Sequence, residues 1–312
     1  MTVPATGEQT ELRHGPFRAV VVEFGGGLRR LTVDGVPLVD GYAADEVAPF
    51  SRGELLAPWP NRLGDGRYTF AGVTHQVPLD EPERRTALHG LARWGTWRVV
   101  DRVRDRTGDQ VSLAHRLFPR PGYPFLLDLR VDYRLDDGGL TVTQSARNLG
   151  ATAAPYGTGA HPYLTAGPPR VDSCRFTLPA ARRLLVTPDR LLPVGLEDVA
   201  GTRYDFRAGA PIGDLAVDHA FTDVARDPTG TARATLADPA TGRGVTLWWD
   251  AAFPWVQVHT ADRPEPRYHR VALAVEPMSC PPDAFRSGVD LVVLPPGEVH
   301  AGRWGIRPAD PG

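Results

Sequence analysis

From Leu127 to Leu135 the chain alternates without a break. Leu127, Leu129, Val131, Tyr133 and Leu135 are apolar; Asp128, Arg130, Asp132 and Arg134 between them are charged. A period of two sends successive side chains to opposite faces, so this segment reads as a strand with one face in a core and one in water. A strand with a wet face belongs to an antiparallel sheet, because all-parallel sheets are covered on both sides. Val111–Leu117 behaves similarly, with Val111, Leu113 and Leu117 on one face. Asp136-Asp-Gly-Gly139 then reads as a hairpin turn into the next strand-like run.

The same reasoning predicts strands at Phe17–Phe24, Leu28–Val33, Tyr68–Phe70, Trp97–Val103, Leu140–Ala146, Arg175–Leu178, Val245–Trp249, Trp255–Thr260, Val271–Val275 and Leu291–Leu294. The abundant glycine (33) and proline (31) fall mostly between these runs and punctuate them. Helical signals are weak; Pro281–Phe285 opens at most a single turn. The expected fold is therefore all-β: one large antiparallel β-sandwich with few short helices, a single domain over residues 1–312. Its core runs from about 17 to 307, and Arg307–Gly312 is expected to fray. Length alone would favour two domains, but large all-β folds often run as one.

Composition removes several classes of function. The net charge is −2 with the signs mixed, which argues against nucleic acid or an anionic membrane as a partner. The chain contains no lysine. Schiff-base chemistry, a pyridoxal-phosphate anchor and a P-loop all need one. Two cysteines, Cys174 and Cys280, are too few for a disulfide framework or a structural zinc site. No secretory pattern opens the chain, and no run of about 18 apolar residues exists. The expected compartment is cytoplasmic.

Five patches carry chemistry. His161 lies in Gly157-Thr-Gly-Ala-His161-Pro162-Tyr163, between small residues and a proline that favours extended backbone. Small residues there let the backbone be approached closely from outside. A core histidine bonded to a carbonyl is the plain alternative. Asn61-Arg62 sits in Pro58-Trp-Pro-Asn-Arg-Leu-Gly64, a rigid loop in which Arg62 is either a ligand contact or a surface charge. His89 lies in Leu88-His-Gly90, a weak signal alone. Asp218, in Val217-Asp-His-Ala-Phe221, reads by itself as a turn cap before it reads as a ligand contact. Glu276 ends the apolar run Val271–Val275 and is followed by proline; a carboxylate there needs a partner or a task.

Together these patches resemble the aldose 1-epimerase (galactose mutarotase) family, in its bacterial branch. The likeness runs from about Phe17 to Arg307. It continues through Gly66-Arg-Tyr68-Thr-Phe70, Trp97, Pro254-Trp-Val-Gln-Val258 and Glu276-Pro-Met-Ser-Cys-Pro-Pro-Asp283-Ala-Phe285. The resemblance implies a galactose mutarotase-like supersandwich with an open sugar cleft. It assigns Glu276 as catalytic base and His161 as catalytic acid. Arg62 and His89, with Asn61, stand where sugar oxygens are contacted, and Asp218 where hydroxyls are bound. The stretch Pro179–Thr222 diverges most. His259 stands where many relatives carry tyrosine, and the sequence offers no functional account of it. A monomer is implied, with a dimer as the alternative.

The activity so implied interconverts the α and β anomers of a pyranose, without cofactor or metal. One base and one acid on opposite sides of the ring suffice, each contributing about 10²–10⁴-fold. A glutamate near its reference pKa of about 4.3 is ionised at neutral pH, and a histidine near about 6.5 is partly protonated. Trp59, Trp94, Trp248, Trp249 and Trp255 are candidates for packing on the sugar face, Trp249 foremost. Rival readings are a glycoside-processing enzyme using Glu276 and Asp218, a non-catalytic carbohydrate-binding protein, and a biosynthetic enzyme acting on a lactol-like ring. A metal hydrolase built from His89, His161 and Glu276 lacks the usual ligand spacing.

Overall fold

The alternating segment forms the strand Leu127–Asp136 in the computed structural model, which describes residues 3–309. Its five apolar side chains are buried and its charged ones are not. It pairs antiparallel with Gly108–Leu117 on one side and Gly139–Asn148 on the other. Asp136 pairs with Gly139, so the expected hairpin turn is present.

These strands belong to a nine-stranded antiparallel sheet. Its order is Arg98–Asp105, Gly108–Leu117, Leu127–Asp136, Gly139–Asn148, Val299–Pro308, Gly244–Trp249, Ala232–Ala237, Arg175–Thr177 and Ala210–Pro211. A second sheet runs Pro193–Asp198, Ala180–Val186, Asp218–Val224, Trp255–His259, Leu273–Met278, Gly159–Ala160 and Leu55–Leu56, with Tyr163–Leu164 also paired to Leu273–Met278. Apolar side chains of both sheets merge in one buried cluster. Val131, Tyr133 and Leu247 come from the first; Val256, Val258 and Val275 come from the second. A four-stranded sheet from Gln9–His14 to Val36–Pro37 packs outside, against Gly108–Leu117 and Leu127–Asp136. The fold is therefore the galactose mutarotase-like β-sandwich. Ala284–Ser287 is the single α-helical turn among the described residues. No helix there is long and apolar enough to cross a membrane. Cys174 and Cys280 are buried and free.

Three expectations change. The strand carrying Glu276 spans Leu273–Met278, so the carboxylate lies inside it, not at its end. Pro277 does not stop it, because Met278 still pairs with both Trp255 and Gly159. The ten-residue strand Val299–Pro308 has little apolar alternation to advertise it. Its inward positions include Gly302, where a Cβ would come within 2.6 Å of the Phe253 ring. Arg307 and Pro308 pair with Thr246 and Val245, so the chain is not frayed there; residues 310–312 lie outside the described ones. The small residues before His161 also serve the protein itself. A Cβ on Gly157 would meet Cys280 Sγ at 2.5 Å, and one on Gly159 would meet the Pro277 carbonyl at 2.9 Å.

Candidate active site

Three adjacent strands of the second sheet build the floor of a cleft of about 700 Å³, within the range of small-molecule sites. Gln257 is paired with Glu276, and Asp218 with His259. The two-residue period puts Gln257 and His259 on one face and turns Val256 and Val258 into the core. The pairing brings Asp218 and Glu276 to the same polar face. A short two-stranded pair, Arg62–Gly64 with Thr86–Leu88, supplies a second wall. Arg62 sits opposite Leu88, next to His89. The helical turn near Asp283 braces this pair: Asp283 N–H donates to the Arg62 carbonyl, and Gly64 N–H donates to Asp283 Oδ1.

His161 enters from the peptide that follows Gly159–Ala160. Its N–H donates to the Glu54 carbonyl and its own carbonyl accepts from Gly53 N–H, which fixes the backbone. The ring stacks on Tyr163, with centroids 5.0 Å apart, and stands edge-on to His89 at 5.2 Å. Nε2 then lies 3.2 Å from Glu276 Oε1, with both side chains buried. The two are in contact on one wall. They do not straddle a ring-sized gap, as the sequence reading had them do.

Their charge state also differs from that reading. Burial pushes the Glu276 carboxyl well above the ordinary range, and Asp218 adds to the push against the pull of Arg62 and Arg263. Burial drives the His161 imidazole well below its ordinary value, helped by His259 and Arg263. Both groups therefore favour their uncharged forms. The pair holds one exchangeable proton between them, and its net charge is zero whichever atom carries it.

The surrounding groups are held by their own partners. Arg62 binds Glu81 through Nε and Nη2, both at 2.8 Å, and Thr86 Oγ1 donates to the same carboxylate. Burial would lower the arginine's pKa, but Glu81, with Asp218 and Glu276 beyond it, raises it. His89 Nδ1 accepts from Asn61 N–H at 3.2 Å, and burial keeps the ring neutral. Gln257 Nε2 donates to Asp218 Oδ1 at 2.6 Å. Burial alone would raise Asp218, yet His259, Arg62 and this hydrogen bond lower it. His259 turns Nδ1 to the Val217 carbonyl, 3.3 Å away, and stays neutral through burial. Among the described residues, four buried atoms of potential acceptor groups at the cleft lack any protein hydrogen bond: Glu276 Oε2, His161 Nδ1, Gln257 Oε1 and His259 Nε2. All four belong to groups able to accept from a hydroxyl.

The cleft thus unites Asn61, Arg62, His89, His161, Asp218 and Glu276, and excludes Trp249. Trp249 is fully buried between the sheets, opposite Trp304 on the neighbouring strand, because Val245, Leu247 and Trp249 share the inward face. Trp59 and Trp255 are buried as well, and Trp248 does not line the cleft. Trp94, half exposed, is the tryptophan that does. Sequence reasoning missed Glu81, Gln257, His259 and Arg263 as site residues; only the Val-Gln-Val-His259 run held a signal for two of them.

His89, His161 and Glu276 each offer an atom within 4.8 Å of the others, a convergence that the missing ligand spacing did not foretell. The hydrogen bonding argues against a metal there. Asn61 N–H occupies the His89 Nδ1 lone pair, so the neutral ring carries its hydrogen on Nε2 and offers no second lone pair.

Comparison with known proteins agrees with this architecture. The family described as aldose 1-epimerase matches residues 8–307. The uncharacterized protein YihR of Escherichia coli K12 is 36% identical over 296 residues, covering 95% of this chain and 91% of its own. The GalM/aldose epimerase homologue from C. elegans superposes with a TM-score of 0.84 at 20% identity, covering 98% of this chain and 99% of that one. The galactose 1-epimerase from Lactobacillus acidophilus superposes at 0.81 with 18% identity, covering 99% and 98%. The match over nearly the whole length, joined to the sandwich and its cleft, means that this chain belongs to the aldose 1-epimerase family.

Proposed function

We propose that the protein is a carbohydrate isomerase that interconverts the α and β anomers of a pyranose, with Glu276 and His161 as its proton-transfer pair. Opening the ring breaks the C1–O5 bond. The C1 hydroxyl gives up a proton and the ring oxygen gains one. The aldehyde turns about C1–C2, and the steps reverse. In the opening direction Glu276 takes the hydroxyl proton and His161 supplies the other. The pair thereby passes from carboxylate and imidazolium to carboxylic acid and neutral imidazole. Burial favours that second state, which is the one present with the open-chain sugar.

The contact between His161 Nε2 and Glu276 Oε1 carries this reading. The two reacting oxygens are bonded to the same carbon, so a base and an acid side by side can serve both. Around them, unpaired acceptors on His259 and Gln257 suit sugar hydroxyls, while Arg62 and the Nε2–H of His89 suit sugar oxygens. Trp94 offers an apolar face for the C–H side of a ring. An anomer-exchange measurement by NMR on free aldoses tests the proposal. Acceleration is expected with the native protein; none with any aldose, neutral or 6-substituted, overturns the reading.

A further inference from the structure

Four arginines line the cleft, and three of them face a carboxylate. Arg62 and Arg84 share Glu81, and Arg93 lies 2.9 Å from Glu54. Arg263 has no carboxylate within ion-pair distance among the described residues. Its Nε is buried without a hydrogen-bond acceptor. What supports the guanidinium is neutral: the Phe50 ring, 4.4 Å from its central carbon, and a side-chain hydrogen bond with Tyr163. A ring face steadies a cation but leaves its charge in place. His161, Glu276, His89 and His259 all feel that charge.

Arg263 is presented on purpose-built backbone. Its N–H and that of Arg270 both donate to the Ala261 carbonyl, and His269 Nδ1 lies 2.8 Å from the Arg263 carbonyl. Arg270 is buried and grips Asp262 at 2.6 Å, Asp172, and the carbonyls of Gly213 and Leu215. The loop is therefore cross-braced at its base while Arg263 projects into the cleft. A half-buried guanidinium without a counter-charge is costly unless something supplies one. Its planar fork suits a multi-oxygen anion.

We propose that the sugar carries an anionic group on C6 (a sulfonate, phosphate or carboxylate) that supplies the missing ion pair of Arg263. The position rests on the mutarotase reading: His161 serves the ring oxygen, whose other neighbour is C5, and C6 hangs from C5. Arg263 lines the same cleft as His161 and is hydrogen-bonded to Tyr163, whose ring stacks on His161 at 5.0 Å, so its guanidinium lies on the side of that substituent. The mutarotase reading leaves neutral and substituted aldoses alike open; the arginine without a carboxylate partner is what selects the charged ones here.

The test is calorimetric binding of glucose and galactose against their 6-phosphate, 6-sulfonate and 6-carboxylate forms, with wild type, Arg263→Gln and Arg263→Lys. At least one anionic form is expected to bind wild type about 10- to 100-fold more tightly than its neutral parent. That margin should shrink in high salt, collapse in Arg263→Gln and survive in part in Arg263→Lys. The three anions tell the possible head groups apart. Neutral sugars binding as tightly as all three anions would overturn the proposal, as would a margin that persists in Arg263→Gln. Anomer exchange, followed in parallel, tests the mutarotase reading separately. Preferential anion binding without exchange would sink that reading and keep this one; exchange without the margin would do the reverse.

Discussion

Asn61 and His89 hold each other in place. Each has a left-handed backbone, with φ of 54° and 61°. Asn61 N–H donates to the His89 ring at 3.2 Å, and His89 N–H returns a bond to the Asn61 carbonyl at 2.9 Å. The left-handed turns allow this reciprocity between a loop and a strand end 28 residues apart. They also fix which ring nitrogen carries the hydrogen, and so decide what His89 offers to the cleft.

A metal-free reaction is the first expected outcome. With the His89 lone pair engaged, anomer exchange should be unchanged by prolonged EDTA dialysis. Elemental analysis of the purified protein should find no stoichiometric metal. Activity lost to EDTA and restored by a divalent cation would contradict the tautomer assignment.

Glu276→Gln should remove activity and add stability. The carboxyl has its folded pKa raised by burial. Such a group contributes stability below the unfolded value of about 4.3 and loses it as pH rises through the folded value. At pH 7 to 8 the amide therefore relieves a burial penalty. We expect anomer exchange to fall about 10²–10⁴-fold and the thermal midpoint at pH 8 to rise by ~2 °C or more. A midpoint lowered at pH 8 would count against the raised pKa.

The buried histidines set an opposite dependence. His89, His161 and His259 all have folded pKa values lowered by burial. Their contribution is present above the unfolded value of about 6.5 and is lost as pH falls toward the folded values. Melting curves should show stability declining from pH 7 to pH 5. The decline should be shallower in His161→Asn, whose anomer exchange should also drop about 10²–10⁴-fold.

Much of this architecture is legible in residue order. Alternation located Leu127–Asp136 and its neighbours because one wet face leaves a period-two record. Strands covered on both faces, or built with glycine as in Val299–Pro308, leave a weaker one. The hairpin of Ala180–Val186 with Pro193–Asp198 was missed because its doublets, Ala-Ala, Arg-Arg and Leu-Leu, break the period-two alternation. Asn61, Arg62, His89, His161, Asp218 and Glu276 were singled out by motif order, and they line one cleft. Gln257 and Glu81 matter through pairing, Gln257 opposite Glu276 and Glu81 opposite Thr86, and register is not written in a local motif. Trp249 was misplaced although its parity with Val245 and Leu247 already pointed inward.

That misplacement yields a paired outcome. Trp249→Ala should cost about 3–5 kcal/mol of stability through the cavity it leaves, read by denaturant unfolding. Trp94→Ala should leave stability nearly unchanged and raise KM about threefold to tenfold, through lost packing on the sugar. The reverse pattern would return Trp249 to the binding site.

Glu81→Gln tests the positioning of Arg62. The bidentate pair becomes at best a single bond, and the guanidinium loses its anchor. A fall of about tenfold in kcat/KM is expected, carried mainly by KM. An unchanged KM would mean that Arg62 does not touch the sugar.

The strand Val299–Pro308 lies between Gly139–Asn148 and Gly244–Trp249, where, among the described residues, it alone joins the two halves of the large sheet. On the ribosome, everything made before it has two bare edges and no way to close them. The nascent protein must wait for this stretch to clear the exit tunnel before its halves can weld. Cutting the gene ahead of Val299 would leave a sticky, protease-sensitive product, not a smaller working version.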